Sequence, residues 1–157
     1  MCDIFHQGAF LDIVRDDSKL RTYGKIKHTV GIERYLLYPM DLEVRTAITK
    51  FRLSDHELMI EKGRHRKIDK SERFCPSCPS LVETELHFLL KCETFYCLRR
   101  DLFTQIAHML PFFNSLSEDN KFISLLTTLE VIKYVGIFLE RGFKSRNFLI
   151  EKHKNIG

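Results

Sequence analysis

The chain has 157 residues, 44% hydrophobic residues and a formal net charge of +4, which is enough for one domain with a buried core and excludes a strongly acidic or basic class. No apolar run approaches the roughly 18 residues of a membrane span, and the first residues lack the charged-then-apolar order of a signal peptide. Three of the five cysteines fit a metal-ligand pattern rather than disulfides, so we expect an intracellular protein of the nucleus or cytoplasm without a membrane partner.

Short helices are predicted over the N-terminal third of the chain. Residues 3–14, and the stretch beginning near Lys19, each carry apolar side chains at helical spacing. Asp41 is a suitable N-cap for a further helix over residues 42–51. We therefore assign residues 18–60 to a set of N-terminal helices.

The positive charge is concentrated in one segment, residues 62–73, which has six basic and two acidic residues. Such a local excess attracts polyanions, and contacts to phosphates give affinity without reading bases. The segment predicts binding of RNA or DNA with low sequence specificity, although a solvated loop has the same composition. The candidate nucleic-acid-binding residues are Lys62, Arg64, Arg66, Lys67, Lys70 and Arg73.

The basic segment also has a predicted shape. Residues 64–74 have no helical period, so we expect an extended arm or a short hairpin leading into the first cysteines. His65 and Phe74 are interleaved with the basic residues, where an aromatic ring can stack on an unpaired base. For Phe74 we expect instead a buried position beside a metal.

The motif C-x2-C-x8-H-x4-C is formed by Cys75, Cys78, His87 and Cys92. Zn²⁺ prefers four thiolate or imidazole ligands in a tetrahedron, and this motif supplies one complete set. Because all four positions are filled by protein, the predicted zinc is structural rather than catalytic. A group of reduced cysteines beside a core histidine is the alternative interpretation.

The spacing of the last two ligands constrains the local structure. His87 and Cys92 are five residues apart, so on an ideal helix their side chains would point about 140° apart. Both can reach one metal only if the helix predicted over residues 83–90 ends or distorts near Lys91. A new helix is expected to begin near Cys92.

Other reactive side chains fit the ligand set less well. His56 and His65 precede the first cysteine pair, and Cys97 is expected to be a free, partly exposed thiol. Asp55, His56 and Glu57 are adjacent, but neighbours in sequence rarely converge on one substrate. We find little support for catalysis and expect no enzyme activity.

Two helices are predicted near the C-terminus. Ser117 can cap the first, and residues 129–148 have the longest helical pattern in the chain. The whole chain, residues 1–157, is predicted to be one mostly α-helical domain organised around a zinc-knuckle-like CCHC site. Residues 61–110 would hold the basic arm, the zinc site and the following helix, and residues 111–157 a C-terminal helical pair.

Several short runs in this sequence occur together in a known family. They are Phe51-Arg52-Leu53-Ser54-Asp55-His56, Ile60-Glu61-Lys62-Gly63-Arg64, Arg73-Phe74-Cys75-Pro76-Ser77-Cys78, Glu85-Leu86-His87-Phe88-Leu89-Leu90-Lys91-Cys92 and Leu98-Arg99-Arg100. In combination they resemble the C-terminal zinc-binding region of non-LTR (LINE-type) retrotransposon reverse transcriptases. The resemblance covers residues 18–146.

The resemblance implies that the CCHC residues are zinc ligands and that the region assists with template RNA or target DNA. It also implies contact with other parts of a reverse transcriptase. The family's Tyr-x-Asp-Asp polymerase signature is missing here, and there is no room for an endonuclease. Two alternatives stay open: a zinc-organised protein-interaction module that docks through its C-terminal helices, and a non-functional retroelement remnant.

Overall fold

The computed structural model describes residues 19–155, without the side chains of His153 and Lys154. In this part of the chain the fold is mostly helical with one small hairpin, as predicted. The helix predicted over residues 3–14 lies outside the described residues. The elements are α1 (Arg21–Ile26), α2 (Leu42–Arg52), α3 (Met59–His65), β1 (Phe74–Cys75), β2 (Cys78–Val82), α4 (Tyr96–Ile106), α5 (Glu118–Thr127) and α6 (Leu129–Lys154).

The centre of the fold is the contact between α2 and α6. Val44, Ile48 and Phe51 recur every three to four residues along α2, so they share one face and are buried. Gly136 of α6 lets the two helices approach closely. A Cβ at Gly136 would lie 2.5 Å from Cγ1 of Val44 and 2.7 Å from Cδ1 of Ile48.

The phenylalanine-rich core connects this helix pair to the cysteine-containing segment. Phe88 lies at its centre, with ring centroids 4.7 Å from Phe95, 4.7 Å from Phe143 and 6.3 Å from Phe51. Aromatic pairs at such separations add about 0.5–1.5 kcal/mol each beyond the area they bury. Since Phe88 follows His87 directly, the core fixes the position of that candidate ligand.

The C-terminal region contains α5 and α6, and α6 continues to Lys154, beyond its predicted end at residue 148. The Oγ of Ser117 accepts a hydrogen bond from the backbone N–H of Asn120 at 3.3 Å and so caps α5 as expected. From residue 19 to residue 155, no single helix is long and apolar enough to cross a membrane. Helices α5 and α6 reach that length and apolar character only when they are taken together, and the pair is bent by 100°.

The basic segment differs from the predicted extended arm, although the predicted hairpin is present. Helix α3 continues through Lys62 and Arg64 to His65. The chain then turns at Lys67, which has a φ of 57°, and forms a 3-10 turn over Lys70–Glu72 before β1. The sequence pattern ended the N-terminal helices at residue 60 and missed the continuation of α3 to His65, because α3 buries only Ile60, Glu61 and Gly63.

A candidate CCHC metal centre

The first two candidate ligands lie on the hairpin. Strands β1 and β2 are antiparallel, and Cys75 pairs in register with Cys78 across the turn at Pro76 and Ser77. This tight turn places both sulfur atoms at one end of the hairpin. The local sequence therefore provides one half of the metal centre without help from distant residues.

The other two ligands lie at the ends of a distorted helical turn. Residues His87–Lys91 form a π-helical turn, and the backbone N–H of Cys92 donates to the carbonyl of His87 at 2.8 Å. Such i→i+5 turns are rare and are underwound relative to an α-helix. The underwinding brings the side chains of His87 and Cys92, five residues apart, closer to the same side of the helix. The distortion expected near Lys91 is therefore present.

The four candidate ligand atoms converge. The sulfur atoms of Cys75, Cys78 and Cys92 and an imidazole nitrogen of His87 all lie within 4.8 Å of one another. The sulfur of Cys92 is 3.9 Å from that of Cys75 and 3.9 Å from that of Cys78. A tetrahedron with metal–sulfur bonds of about 2.3 Å has edges of about 3.8 Å. The spacing therefore fits a single tetrahedral ion.

The surroundings of His87 also fit a metal ligand. Its side chain is buried, and its Nε2 has no hydrogen-bond partner among the described residues. A buried polar atom without a partner costs about 1–3 kcal/mol. A metal ion that took this nitrogen as a ligand would remove that cost.

The three cysteines of the cluster are free thiols, not disulfides. A hydrogen bond between Cys75 and Cys92, together with burial, raises the pKa of the Cys75 thiol. The same hydrogen bond lowers the pKa of Cys92, so this sulfur is the more readily ionised one. Metals bind the thiolate form, so the cluster already favours one ligand in its binding state.

Arg99 supports the cluster from the following helix, α4. Its Nε donates to the carbonyl of Leu89 at 3.0 Å, and its Nη2 donates to the carbonyl of Cys92 at 2.6 Å. Burial lowers the pKa of this guanidinium, against the attraction of the Cys92 thiolate. Arg99 thus holds the end of the π-helical turn and places a positive charge near the sulfurs. The run Leu98-Arg99-Arg100 was the sequence signal that could have identified it.

A buried ion pair ties the hairpin to α6. Arg146 donates to both carboxylate oxygens of Glu83, at 2.7 Å each, and Glu83 also accepts from the backbone N–H of Met59 at 2.6 Å. The sequence analysis did not identify this pair. Its members are 63 residues apart, and no periodic pattern connects them.

A second buried polar cluster lies beside the first. Arg21 pairs with both Glu61 and Glu85, and Glu85 also contacts Ser54 at 3.1 Å and His56 at 3.0 Å. Burial raises the pKa of Glu85, but the hydrogen bond from His56 and the charge of Arg21 outweigh burial and lower the pKa to about 2. The partner of His56 is therefore Glu85 rather than its sequence neighbours.

The six basic candidates divide into two groups. Arg73 donates to the carbonyls of Ile60 and Ile68, Arg64 pairs with Glu61, and Lys62 pairs with Glu57. These three side chains stabilise the local fold. The exposed candidates are Arg66, Lys67 and Lys70. Within residues 19–155, Arg66 and Lys67 have no side-chain partner.

The solvent exposure of Phe74 and Cys97 tests two further predictions. Phe74 was expected to be buried beside the metal, but it is 43% exposed, because its strand lies at the surface and only Cys75 points inward. Cys97 is an exposed free thiol, as predicted. No other group of three or more metal-binding side chains comes together in the described part of the chain.

Comparison with known proteins finds no matching family model, no matching curated protein and no matching solved structure. The geometry thus defines a class, a helical protein with a Cys3His cluster suited to a metal ion. Similarity to known proteins does not assign the chain to a family within this class.

Proposed function

We propose that the chain is a zinc-stabilised module that binds RNA or DNA with low sequence specificity and has no polymerase or endonuclease activity of its own. The observation that carries this proposal is the convergence of three sulfurs and one imidazole within 4.8 Å. The combined sequence runs support descent from the C-terminal region of a LINE-type reverse transcriptase. Such a module works inside the cell, in the nucleus or cytoplasm, alone or beside other parts of a reverse transcriptase.

Zinc is the ion that best fits this ligand set. Thiolates with one imidazole in a tetrahedron are typical of structural zinc sites, and four protein ligands leave no position for a reactive water. Three thiolates and one neutral imidazole give the loaded site a net charge of about −1. The buried guanidinium of Arg99, bonded to the carbonyl of Cys92, offsets that charge.

The exposed basic residues support nucleic-acid binding. Arg66 and Lys67 lie in the turn after α3, and Lys70 lies in the next turn. Arg64 and Arg73 hold this segment in place through Glu61 and two backbone carbonyls, so the exposed cations are presented on an ordered surface. Contacts from these cations to phosphates release counterions and bind without reading sequence.

The experiment is a salt series of fluorescence anisotropy with the metal-loaded chain, on single-stranded RNA and on duplex DNA. Replacing Arg66 and Lys67 by Ala should weaken binding about tenfold at low salt and reduce the salt slope on duplex DNA by nearly 2, since each phosphate contact contributes about 0.9. Replacing Lys133 and Lys152, exposed lysines of α6, is the control and should change little. Absence of binding to both nucleic acids at low salt would refute the proposal.

The protein-interaction alternative has less support. A large exposed apolar face on the predicted helix over residues 129–148 would favour it. In α6 the apolar residues Ile132, Val135 and Leu139 are buried, and Phe148 stands exposed at 66%. No specific observation favours this second function.

A further inference from the structure

The three sulfur atoms of the CCHC cluster lie close enough together for a disulfide bond to form between two of them. The sulfur of Cys92 is 3.9 Å from that of Cys75 and 3.9 Å from that of Cys78. A disulfide bond is about 2.0 Å long, so each sulfur of a pair has to move by about 1 Å to join its neighbour. Cys92 is therefore a possible bonding partner for both cysteines of the hairpin.

The two hairpin cysteines differ in their exposure to solvent. Cys75 is 3% exposed, whereas Cys78 is only half-buried and lies between the exposed residues Ser77 and Pro79. Cys92 is 1% exposed. A small oxidant that diffuses to the cluster from solution therefore meets Cys78 before it meets the other two cysteines.

The exposed thiol of Cys97 lies outside this arrangement. Cys97 belongs to α4, and it is not among the side chains that converge within 4.8 Å of one another. An oxidised cysteine forms a disulfide only when a second thiol is within reach. Exposure alone therefore does not make Cys97 equivalent to Cys78, which has Cys92 beside it.

We propose that Cys78 is an oxidation site, at which hydrogen peroxide joins Cys78 to Cys92 in a disulfide and thereby releases the zinc ion. This inference rests on the proposed zinc site and adds a chemical route by which that site loses its ion. It requires the half-buried position of Cys78 and the 3.9 Å distance between its sulfur and that of Cys92.

The reaction has two steps, and both use thiolates, the form in which cysteines bind zinc. The sulfur of Cys78 attacks one oxygen of hydrogen peroxide, the O–O bond breaks, and hydroxide leaves as a sulfenic acid forms. The thiolate of Cys92 then attacks the sulfur of Cys78, the S–S bond forms, the S–O bond breaks, and a second hydroxide leaves. In total the two thiolates lose two electrons, and one peroxide becomes two hydroxide ions.

The disulfide leaves too few ligands to hold the ion. Only Cys75 and His87 remain, whereas a structural zinc site has four protein ligands. Thiol–disulfide exchange with a dithiol returns both thiolates, so the change is reversible. Because the cytosol and nucleus keep thiols reduced, the zinc-bound form is the resting state and the disulfide forms only during exposure to peroxide.

The experiment treats the zinc-loaded full chain carrying Cys97→Ser with hydrogen peroxide, beside an untreated sample. A chromogenic chelator measures released zinc, and mass spectrometry of tryptic peptides locates the disulfide. Trypsin cleaves after Lys91 and so separates Cys92 from the peptide that contains Cys75 and Cys78, and fragmentation of the linked peptides shows which of these two is bonded. We expect release of about one zinc ion per chain, Cys78–Cys92 as the main disulfide, and recovery of the zinc content after dithiothreitol and added zinc.

Two matched variants test whether Cys78 is the point of attack. Cys78→His and Cys75→His each keep a zinc-binding side chain, but only the first removes the half-buried sulfur. Cys78→His should release zinc about tenfold more slowly than the wild-type chain, because a buried sulfur must then react first. Cys75→His should release zinc at nearly the wild-type rate, and equal rates for the two variants would contradict the role of Cys78.

The outcomes separate this inference from the proposed function. If the loaded chain keeps its zinc under peroxide, or if its main disulfide contains Cys75, the inference is wrong and the proposed zinc-stabilised module stands. If the purified chain contains no zinc, the proposed zinc site and this inference are both wrong. The location of the disulfide in a chain with all four ligands decides the question even if a histidine variant fails to fold.

Discussion

The cysteines of this chain show how the same side chain takes different roles in different surroundings. Cys75 is buried and lies 3.9 Å from the sulfur of Cys92, whereas Cys97 is exposed on α4. Cys97 follows Cys92 by only five positions. The π-helical turn directs Cys92 toward the cluster, while Cys97 is the second residue of the regular helix α4 and is exposed to solvent.

The metal content of the purified chain tests this difference. Cys75→Ser should lower bound zinc from about one ion per chain to a small fraction, because a hydroxyl is a poor replacement for a thiolate. Cys97→Ser should leave the zinc content unchanged. Mass spectrometry of the native protein measures both. Equal zinc content in wild type and Cys75→Ser would show that the cluster is not the binding site.

For single residues, the sequence predicts interactions whose partners are close together in the chain. The four ligands fall within eighteen positions, and their chemistry is distinctive enough to be recognised from spacing. The partner of His56 is Glu85, 29 residues away, and a charged residue carries no signal of which opposite charge it will meet. Buried ion pairs of this kind depend on the tertiary fold and cannot be derived from local pattern.

Among the elements, the close contact of α2 and α6 places the strictest requirement on the size of a single residue. Gly136 is placed where a side chain would enter the space of Val44 and Ile48. Helix propensity alone would favour Ala there by about 1 kcal/mol. Packing therefore decides the residue at this position.

Gly136→Val should lower the free energy of unfolding by about 2–3 kcal/mol, because overpacking a core contact typically costs about 1–3 kcal/mol and Val44 is β-branched and stiff. Ser145→Val, at an exposed position of the same helix, is the matched control and should change stability by less than about 0.5 kcal/mol. Chemical denaturation followed by circular dichroism measures both values. A Gly136→Val variant as stable as wild type would mean that the helices can separate at little cost.

The elements also show the limit of hydrophobic patterns. Helices α2 and α6 were predicted from regular apolar spacing, and both are present. The second half of α3, which contains Lys62, Arg64 and His65, was assigned to the region of the basic arm that begins at residue 61. Its inner face consists of Ile60, a buried carboxylate and Gly63, whose missing side chain makes room for Arg73. A helix that buries a charge and a glycine leaves no apolar period to find.

On the scale of the whole molecule, the metal centre and the helical core are joined rather than separate. Phe88, next to His87, packs at the centre of the phenylalanine core. Glu83, at the end of the hairpin, is paired with Arg146 of α6. Loss of the ion should therefore reduce the stability of the entire described fold and not only of the hairpin.

Chelation of zinc should lower the melting temperature by about 10 °C. Free zinc at about 1,000 times its dissociation constant stabilises a folded protein by about 4 kcal/mol, and a chain of this size shifts by about 2–4 °C per kcal/mol. Calorimetry before chelation, after it and after zinc is added back measures the effect. An unchanged melting temperature after complete metal removal would contradict a structural role for the ion.

The pairing of Glu83 with Arg146 has a consequence for shortened forms of this chain. A premature stop codon before position 146 would preserve all four CCHC residues and yet leave a carboxylate enclosed without its counter-charge, at a cost of about 3–5 kcal/mol. Intact cysteines in a shortened copy are therefore no guarantee that its metal centre can form. A shortened form needs the last helix through Arg146, as well as its cysteines, if the site is to assemble.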